Sequence, residues 1–372
     1  MSTLKVEVVL IDSVEKHPNA DRLDIANIKG WQCIIGKDSF KAGDSAVYFP
    51  IDSILPPELE VKLFPIESKI KLTKSRIRTI KIRGAISQGL LIPVDDLVPI
   101  IGAPDTGSWL PGDELTEQLG VTKFEPPVSV AGTGGGQGTS PKRTNPFFYK
   151  YTDIENFKNY PKLFDDEYEI ICQEKIHGTN FRAGWVPFYP YTLWEKFKVL
   201  IRVAPKYKFV YGSHKVQLQD KFLYTGFYDK NVYAEAVKKY DLENRLVPGE
   251  VIYGEIYGSG VQKGYTYGLA EGERKLVVFD AKVGDRYLDF SALQIFCEFR
   301  NLTMPPIIYR GTHPGNALLK TYSEGPSFLD PKQKVREGIV IRPKLDKLSY
   351  MGRKILKLKS DIFLLKAEDD TH

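Results

Sequence analysis

One lysine stands two residues ahead of a histidine–glycine pair in Glu174-Lys175-Ile176-His177-Gly178-Thr179-Asn180-Phe181. The apolar run Tyr168-Glu169-Ile170-Ile171-Cys172 precedes it and reads as a buried strand. An amine at the end of such a strand can lose its proton to burial, and a neutral lysine is a nucleophile. Gly178 beside it lets a phosphate come close to the backbone.

Three further segments complete a set. Val251–Gly258 is a strand carrying Glu255 between two glycines, and Arg336–Pro343 carries Glu337 ahead of Gly338. In Ile355–Ser360 the alternation points Lys357 and Lys359 to the same face. Between these lies Leu276–Asp280, with Phe279 near its end. A lysine attacking the α-phosphate of a nucleoside triphosphate needs positive charge against the phosphate oxygens. Lys357, Lys359 and a divalent ion would supply it and would also depress the pKa of Lys175. Glu255 and Glu337 could hold the ion, partly through water, and bind ribose hydroxyls, while Phe279 offers a ring face to a base. Blander readings stand beside these. His177 orients phosphate or satisfies backbone groups of the turn, the two glutamates are solvated edge residues, and Phe279 is core.

Lys-Ile-His-Gly-Thr-Asn, Tyr-Gly-Glu, Glu-Gly-Ile-Val-Ile and Leu-Lys-Leu-Lys, taken in this order, resemble motifs I, III, IV and V of the covalent nucleotidyltransferases, the polynucleotide ligases and mRNA capping enzymes. Capping enzymes and most DNA ligases of that superfamily carry aspartate where His177 stands, so the resemblance is to the RNA ligase 2-like clade. Within it, the chain is most similar to the fifth RNA ligase family, which has an amino-terminal OB domain. The resemblance implies that Lys175 becomes linked to AMP taken from ATP with Mg²⁺ or Mn²⁺. AMP would then pass to a 5′-phosphate end, and a 3′-hydroxyl would displace it. It further implies nucleotide contacts for Glu174, His177, Gly178, Asn180, Glu255, Phe279, Glu337, Lys357 and Lys359. The cation expected between motifs I and III falls best on Lys215, with Arg182 and His214 as rivals, because Trp185–Pro190 and the basic-aromatic stretch after it read as an insertion. The implied partner is nicked duplex with RNA ends, and a monomer is expected. The rivals are a DNA ligase, an mRNA guanylyltransferase and a non-catalytic RNA-binding protein. Only thirteen residues follow Lys359, which disfavours a guanylyltransferase with a carboxy-terminal OB domain.

Elements to carry these residues are legible along the 372-residue chain. Hydrophobic residues make up 42% and charged residues 27%, enough apolar content for two cores, and the formal charge of +5 permits a polyanionic partner without requiring one. Cys33, Cys172 and Cys297 are scattered, which argues against a disulfide framework or a structural zinc site. No apolar stretch is long enough to span a bilayer, so an intracellular, soluble protein without a membrane partner is expected. Short strands at Lys5–Ile11, Ile25–Lys29, Gln32–Ile35, Ala46–Phe49, Ile77–Ile82 and Gly89–Pro93 suit a small barrel. His17–Ile25 looks like the first loop of tRNA-binding OB domains. Residues 69–83 interleave cations, among them Lys74, Arg76, Arg78, Lys81 and Arg83, with apolar residues. They read either as an electrostatic track for a nucleic-acid backbone or as the wet face of a hairpin. A Gly/Ser-rich stretch inside 121–146 reads as a linker, and its glycines lack the Gly-Lys-Ser/Thr of a P-loop. Tyr151–Phe157 resembles a capped helix start, and helices are expected at Val232–Tyr240 and Ser291–Arg300. The expected fold is an N-terminal all-β OB-like barrel (1–120), the linker, and a C-terminal α+β nucleotidyltransferase domain with ATP-grasp-like antiparallel sheets (147–372).

Overall fold

The computed structural model describes residues 3–65, 71–101, 109–124, 144–214, 216–218 and 231–367. The glycine-rich part of the linker and Lys215 lie outside the described residues. The chain divides into two compact units, one of residues 1–128, 154–163 and 361–372, the other of residues 129–153 and 164–360.

The first unit is built on β1 (Glu7–Leu10), β2 (Ser13–Lys16), β3 (Leu23–Ile28), β4 (Trp31–Gly36), β5 (Ser45–Phe49), β6 (Ser53–Ile54), β7 (Thr79–Ile82), β8 (Ala85–Gln88), β9 (Leu90–Pro93) and β10 (Thr122–Lys123), with helices α1 (Pro57–Leu63) and α2 (Val94–Ile101). β5 lies between β1 and β9, and β3 lies between β2 and β4. Alternation along β1 and β5 feeds two cores. Val8, Val47 and Phe49 join Leu55 and Leu97, while Val9, Ala46 and Tyr48 join Ile28 and Trp31. A strand pair buried on both faces is why these runs are nearly continuous in apolar residues. Buried His17 fastens the β2–β3 loop. Its Nδ1 accepts from Asn19 N–H (3.0 Å) and its Nε2 faces Ile82 O at 3.1 Å.

The basic stretch is less regular than its alternation suggests. Lys74 and Ser75 both take positive φ in a tight turn, so β7 begins only at Thr79. Arg76 turns inward to Asp52 at 2.6 Å and covers the Phe124 ring at 3.8 Å. Arg78 is partly buried, whereas Lys74, Lys81 and Arg83 are exposed. The helix expected at Tyr151–Phe157 is absent from the described backbone. Glu155–Asn156 is a two-residue strand, β11, and Asn156 caps a single 3₁₀ turn at Phe157–Asn159. Lys158 explains that outcome, because its side chain is drawn into the first unit. There its Nζ meets Asp361 Oδ1 at 2.8 Å and Gln88 Oε1 at 2.5 Å, while Gln88 donates to the same Asp361 oxygen. Asp361 opens the helix Asp361–Ala367. Sequence patterning assigned both segments to the second domain, yet they are packed into the first unit.

The second unit holds β12 (Ile170–Glu174), β13 (Thr179–Pro187), α3 (Leu193–Leu200), β14 (Tyr207–Gly212), β15 (Gln217–Leu218), α4 (Val232–Lys239), α5 (Leu242–Arg245), β16 (Glu250–Gly258), β17 (Arg274–Val283), β18 (Arg286–Tyr287), α6 (Phe290–Phe299), β19 (Ile307–Gly311), α7 (Asn316–Ser323), β20 (Gly338–Pro343), β21 (Leu348–Ser349), β22 (Gly352–Arg353) and β23 (Leu356–Lys359). One sheet runs β23-β20-β12-β19 and the other β15-β14-β13-β16-β17-β18, with antiparallel pairing throughout. Residues of β13, β16 and β17 on one face (Phe181, Ala183, Ile252, Ile256, Leu276, Val278) pack against α4, α5 and α6. Their opposite face carries Asn180, Glu255 and Val277. The expected insertion forms α3, started by a Thr192–Glu195 capping box.

Removing one partner of a buried ion pair strands the other charge, at a cost of about 3 kcal/mol or more. Lys158→Met is therefore expected to lower the urea midpoint strongly. The double variant Lys158→Met/Asp361→Leu should lose less than Lys158→Met alone; an equal or larger loss would show that the pair is not what holds these segments.

Candidate active site

Lys175 sits where the chain leaves one sheet and enters the other. Its N–H donates to Gly338 O at 2.9 Å, continuing the β12–β20 ladder one step beyond Glu174↔Ile339. Gly338 in turn pairs with Lys359. The register thus sets a row of Lys175, Gly338 and Lys359 across three strands, with no side chain between the two lysines. Gly338 has φ +145, and a Cβ there would lie 2.1 Å from Leu358 O, so only glycine fits. The neighbouring row is Gln173, Val340 and Lys357.

Glu337 draws the cations of this row together. Its Oε2 accepts from Lys175 Nζ at 2.7 Å and lies 3.5 Å from His177 Nδ1, and its Oε1 is 3.7 Å from Lys359 Nζ. Burial alone would raise the pKa of Glu337. Lys175, then His177 and Lys359, overcome that and hold it well below the usual carboxylate range. For Lys175 the balance runs opposite to the sequence-based expectation. Burial pushes its pKa down, but Glu337 and Glu255 outweigh burial, and the amine is held protonated with its pKa above the ordinary lysine value. Glu337, ionised and hydrogen-bonded to the amine at 2.7 Å, supplies most of that.

Glu255 stands on β16 directly across from Asn180 on β13 and Val277 on β17, so the three share a face. Its carboxyl is pushed up to about 8, first by burial and then by Glu337, while Lys175 and the Gly178 N–H oppose the shift. Gly178 has no room for a side chain: a Cβ would meet Ile256 O at 2.2 Å and Glu255 Cγ at 2.9 Å. Asn180 Oδ1 is buried and accepts no hydrogen bond. Phe279 is the extra residue of a β-bulge where Tyr253 pairs with Asp280 and Gly254 with Val278. It packs edge-on against Tyr151 at 5.0 Å, as Tyr253 packs on the same ring at 5.0 Å, which places Phe279 on the face of Tyr253 and Glu255.

Other expected residues are not brought here. Glu174 falls on the opposite face of its sheet from Lys175, in the row of Ile339 and Leu358. There its Oε2 accepts from Phe328 N–H at 2.8 Å, and burial pushes its carboxyl above the ordinary value. Of the rivals to Lys215, Arg182 is fully buried and donates to Ser213 O and Phe148 O, tying two segments to β13. His214 is half-buried, 3.8 Å from Asp153.

Three residues that the motifs do not announce hold the Lys175–Gly178 turn. Tyr267 OH accepts from His177 N–H at 2.7 Å, Gln262 donates to Gly178 O at 2.8 Å, and the Tyr265 ring meets the His177 ring edge-on at 4.9 Å. The donor set also bears on a metal. Among the described residues no group of three or more His, Cys, Asp or Glu side chains is placed to hold an ion. Two carboxylates and an unsatisfied amide oxygen fit a hard cation that keeps water and phosphate oxygens as its other ligands, as Mg²⁺ and Mn²⁺ do.

Lys175, His177 and Lys359 gather on Glu337, and Glu255 interacts electrostatically with Lys175 and Glu337, a set chemically suited to phosphoryl groups. The RNA ligase family model matches residues 168–359, and an OB-fold domain model matches residues 5–94. The chain belongs to the RNA ligase family. Among solved structures it is similar to the Naegleria gruberi RNA ligase. An apo mutant shares 24% identity with a TM-score of 0.72, covering 99% of this chain and 100% of that one. A mutant of the same ligase with ATP and Mn gives 23% and 0.73 over 99% and 100%, and the ligase with PPi 23% and 0.71 over 99% of each. No curated protein matches the chain in sequence.

The proton on Glu255 has a measurable consequence. The folded state keeps it up to pH about 8, whereas an unfolded glutamate releases it near 4.5. Between those values the folded state binds more protons, so the contribution of this carboxyl to stability falls as pH rises and is gone above pH about 8. Glu255→Gln should flatten this decline by on the order of 2 kcal/mol between pH 5 and pH 8, read from urea unfolding. An unchanged slope would place the proton elsewhere.

Proposed function

We propose that this RNA ligase is ATP-dependent and seals 3′-hydroxyl/5′-phosphate breaks, chiefly nicks in duplexes with RNA ends, through a lysyl-AMP at Lys175. The observation that carries the reading is the convergence of Lys175, Lys359 and His177 on Glu337, beside Glu255. The bound ATP and manganese of the Naegleria ligase support it by likeness of fold.

In the free site Lys175 is an ammonium paired with Glu337 and is no nucleophile. Glu337 can release it when its charge is satisfied by Lys359 and by a cation bound alongside; burial then favours the neutral amine. A divalent ion held by Glu337 and Glu255 would supply charge against the phosphate oxygens and bring Glu255 to its ionised form. Once its ammonium has given one proton to water, Lys175 Nζ forms a bond to the α-phosphorus as the bond to pyrophosphate breaks, and the nitrogen then gives a second proton to the departing pyrophosphate or water. Lys357 and Lys359, fixed on one face of β23, carry the developing negative charge. Asn180 and Phe279, on the Glu255 face, would orient the sugar and base. The same charges serve transfer of AMP to a 5′-phosphate and its displacement by a 3′-hydroxyl, because each step is substitution at phosphorus. The exposed Lys74, Lys81 and Arg83 of the barrel are assigned to the nucleic-acid backbone. Arg76 is left out of that assignment because Asp52 holds it.

Incubation with α-labelled ATP and Mg²⁺ or Mn²⁺ should label the protein, and Lys175→Ala should abolish the label. Labelling by GTP alone would indicate a guanylyltransferase, and no labelling of the wild type would sink the reading.

The triple variant Lys74→Ala/Lys81→Ala/Arg83→Ala should adenylate normally yet seal nicked duplex RNA more weakly, with a shallower salt dependence. Sealing at the wild-type rate and salt dependence would remove the track from the function.

A further inference from the structure

Tyr267 is bent out of the ordinary backbone range. Its φ is +51, in the left-handed region that a bulky aromatic residue rarely enters, and Gly268 follows at φ +72. The strained pair closes a turn, Leu269 N–H to Thr266 O at 3.2 Å. That turn delivers a buried phenol, 3% exposed, whose oxygen accepts from the His177 N–H at 2.7 Å. The ring is wedged with Ile176, Tyr257 and Val277, edge-on to Tyr257 at 5.2 Å. Tyr265, two residues earlier, closes on the His177 imidazole, and Gln262 holds the carbonyl of Gly178. The turn between the two sheets is therefore held at its start by Gly338 O, through Lys175 N–H, and beyond Lys175 by one loop, 262–267.

We propose that Tyr267 is a positioning residue for the attack of Lys175 on the nucleotide, acting through the backbone of His177. This rests on the lysyl-AMP reading of the site. Glu337 holds the Lys175 ammonium until attack. Once that pair opens, the direction of the amine is set by the backbone of the turn, and the Tyr267 oxygen fixes the turn two residues further on. The loop enters as a mechanical support for motif I and needs no contact with ATP. Misplacement of a reacting group by about 1 Å costs on the order of 10²-fold in rate, so loss of one such support is expected to be visible.

The test is Tyr267→Phe in the full chain, which deletes one oxygen and keeps the ring, with Tyr257→Phe as a control in the same cluster. Two steps are measured: labelling of the protein by α-labelled ATP with Mg²⁺, and sealing of a nicked duplex whose 5′ end already carries AMP, which needs no attack by Lys175. Tyr267→Phe should slow self-adenylation about tenfold or more, leave KM for ATP unchanged and spare sealing of the AMP-capped strand, with thermal melting like that of the wild type. Tyr257→Phe should label normally. Equal labelling by Tyr267→Phe and wild type overturns the proposal. So does an equal slowing of both steps, or a matching drop in melting temperature, which would mark a merely structural hydroxyl. If the wild type never takes up label, the reading of the site itself fails, and the inference falls with it.

Discussion

One carboxylate organises the second unit's chemistry. Glu337, held ionised against burial, draws on Lys175, His177 and Lys359 at once, from one turn and from a strand far along the chain from it. A lone buried carboxylate would be protonated or excluded from such a place. Three cationic or hydrogen-bonding neighbours reverse that, and the cost of bringing them together is met by the antiparallel ladder β12-β20-β23. The resting site is thus electrostatically closed. Lys175 is held there as an ammonium in an ion pair, the form of the amine that cannot attack.

The geometry that makes this possible depends on what is missing as much as on what is present. Gly338 leaves a bare step between two lysines, and Gly178 lets β13 pass against β16 with Glu255 beside it. Both glycines are enforced by backbone contacts near 2 Å and would be required even if the site bound nothing. Around them, Asn180, Glu255 and Val277 share a face because their strands pair in register, while the alternate residues supply the core against the helices. The Glu255 parity also carries Tyr257 and Val277 into a smaller packed cluster with Ile176 and Tyr267.

Much of this was legible before the structure. Period-two alternation marks β3 and β23, while near-continuous apolar runs mark β1, β5 and β9, and the paired cores of the barrel follow from runs such as Ala46–Phe49. The lysine, the two glutamates and the β23 lysines carry recognisable neighbours, mostly glycines. The charge on Lys175 was not legible, since its sign depends on whether burial or two carboxylates dominate, and that is decided by ångströms. Glu174 adjoins Lys175 in sequence, yet strand alternation sends it to the opposite face. Arg76 looked like its exposed neighbours until Asp52 claimed it. Lys158 carried the pattern of a surface lysine, and its burial depends on Gln88 and Asp361, far away along the chain. The Tyr265–Tyr267 loop has no motif, because its role rests on a left-handed residue and on long-range packing that no local period encodes.

The bond between Lys158 and Asp361 spans 203 residues of chain, with nearly all of the second unit threaded between its ends. As the polypeptide emerges from the ribosome, the barrel strands can pair early, but the charge-neutralising aspartate arrives only after β23 has been made. Until then Lys158 lacks its acidic partner, so the 154–163 segment can complete this ion pair only once Asp361 has been made. Closing so long a loop adds little to the equilibrium cost, because that entropy grows only with the logarithm of length. The last contact of the amino-terminal module thus waits on a residue made after the second unit's strands.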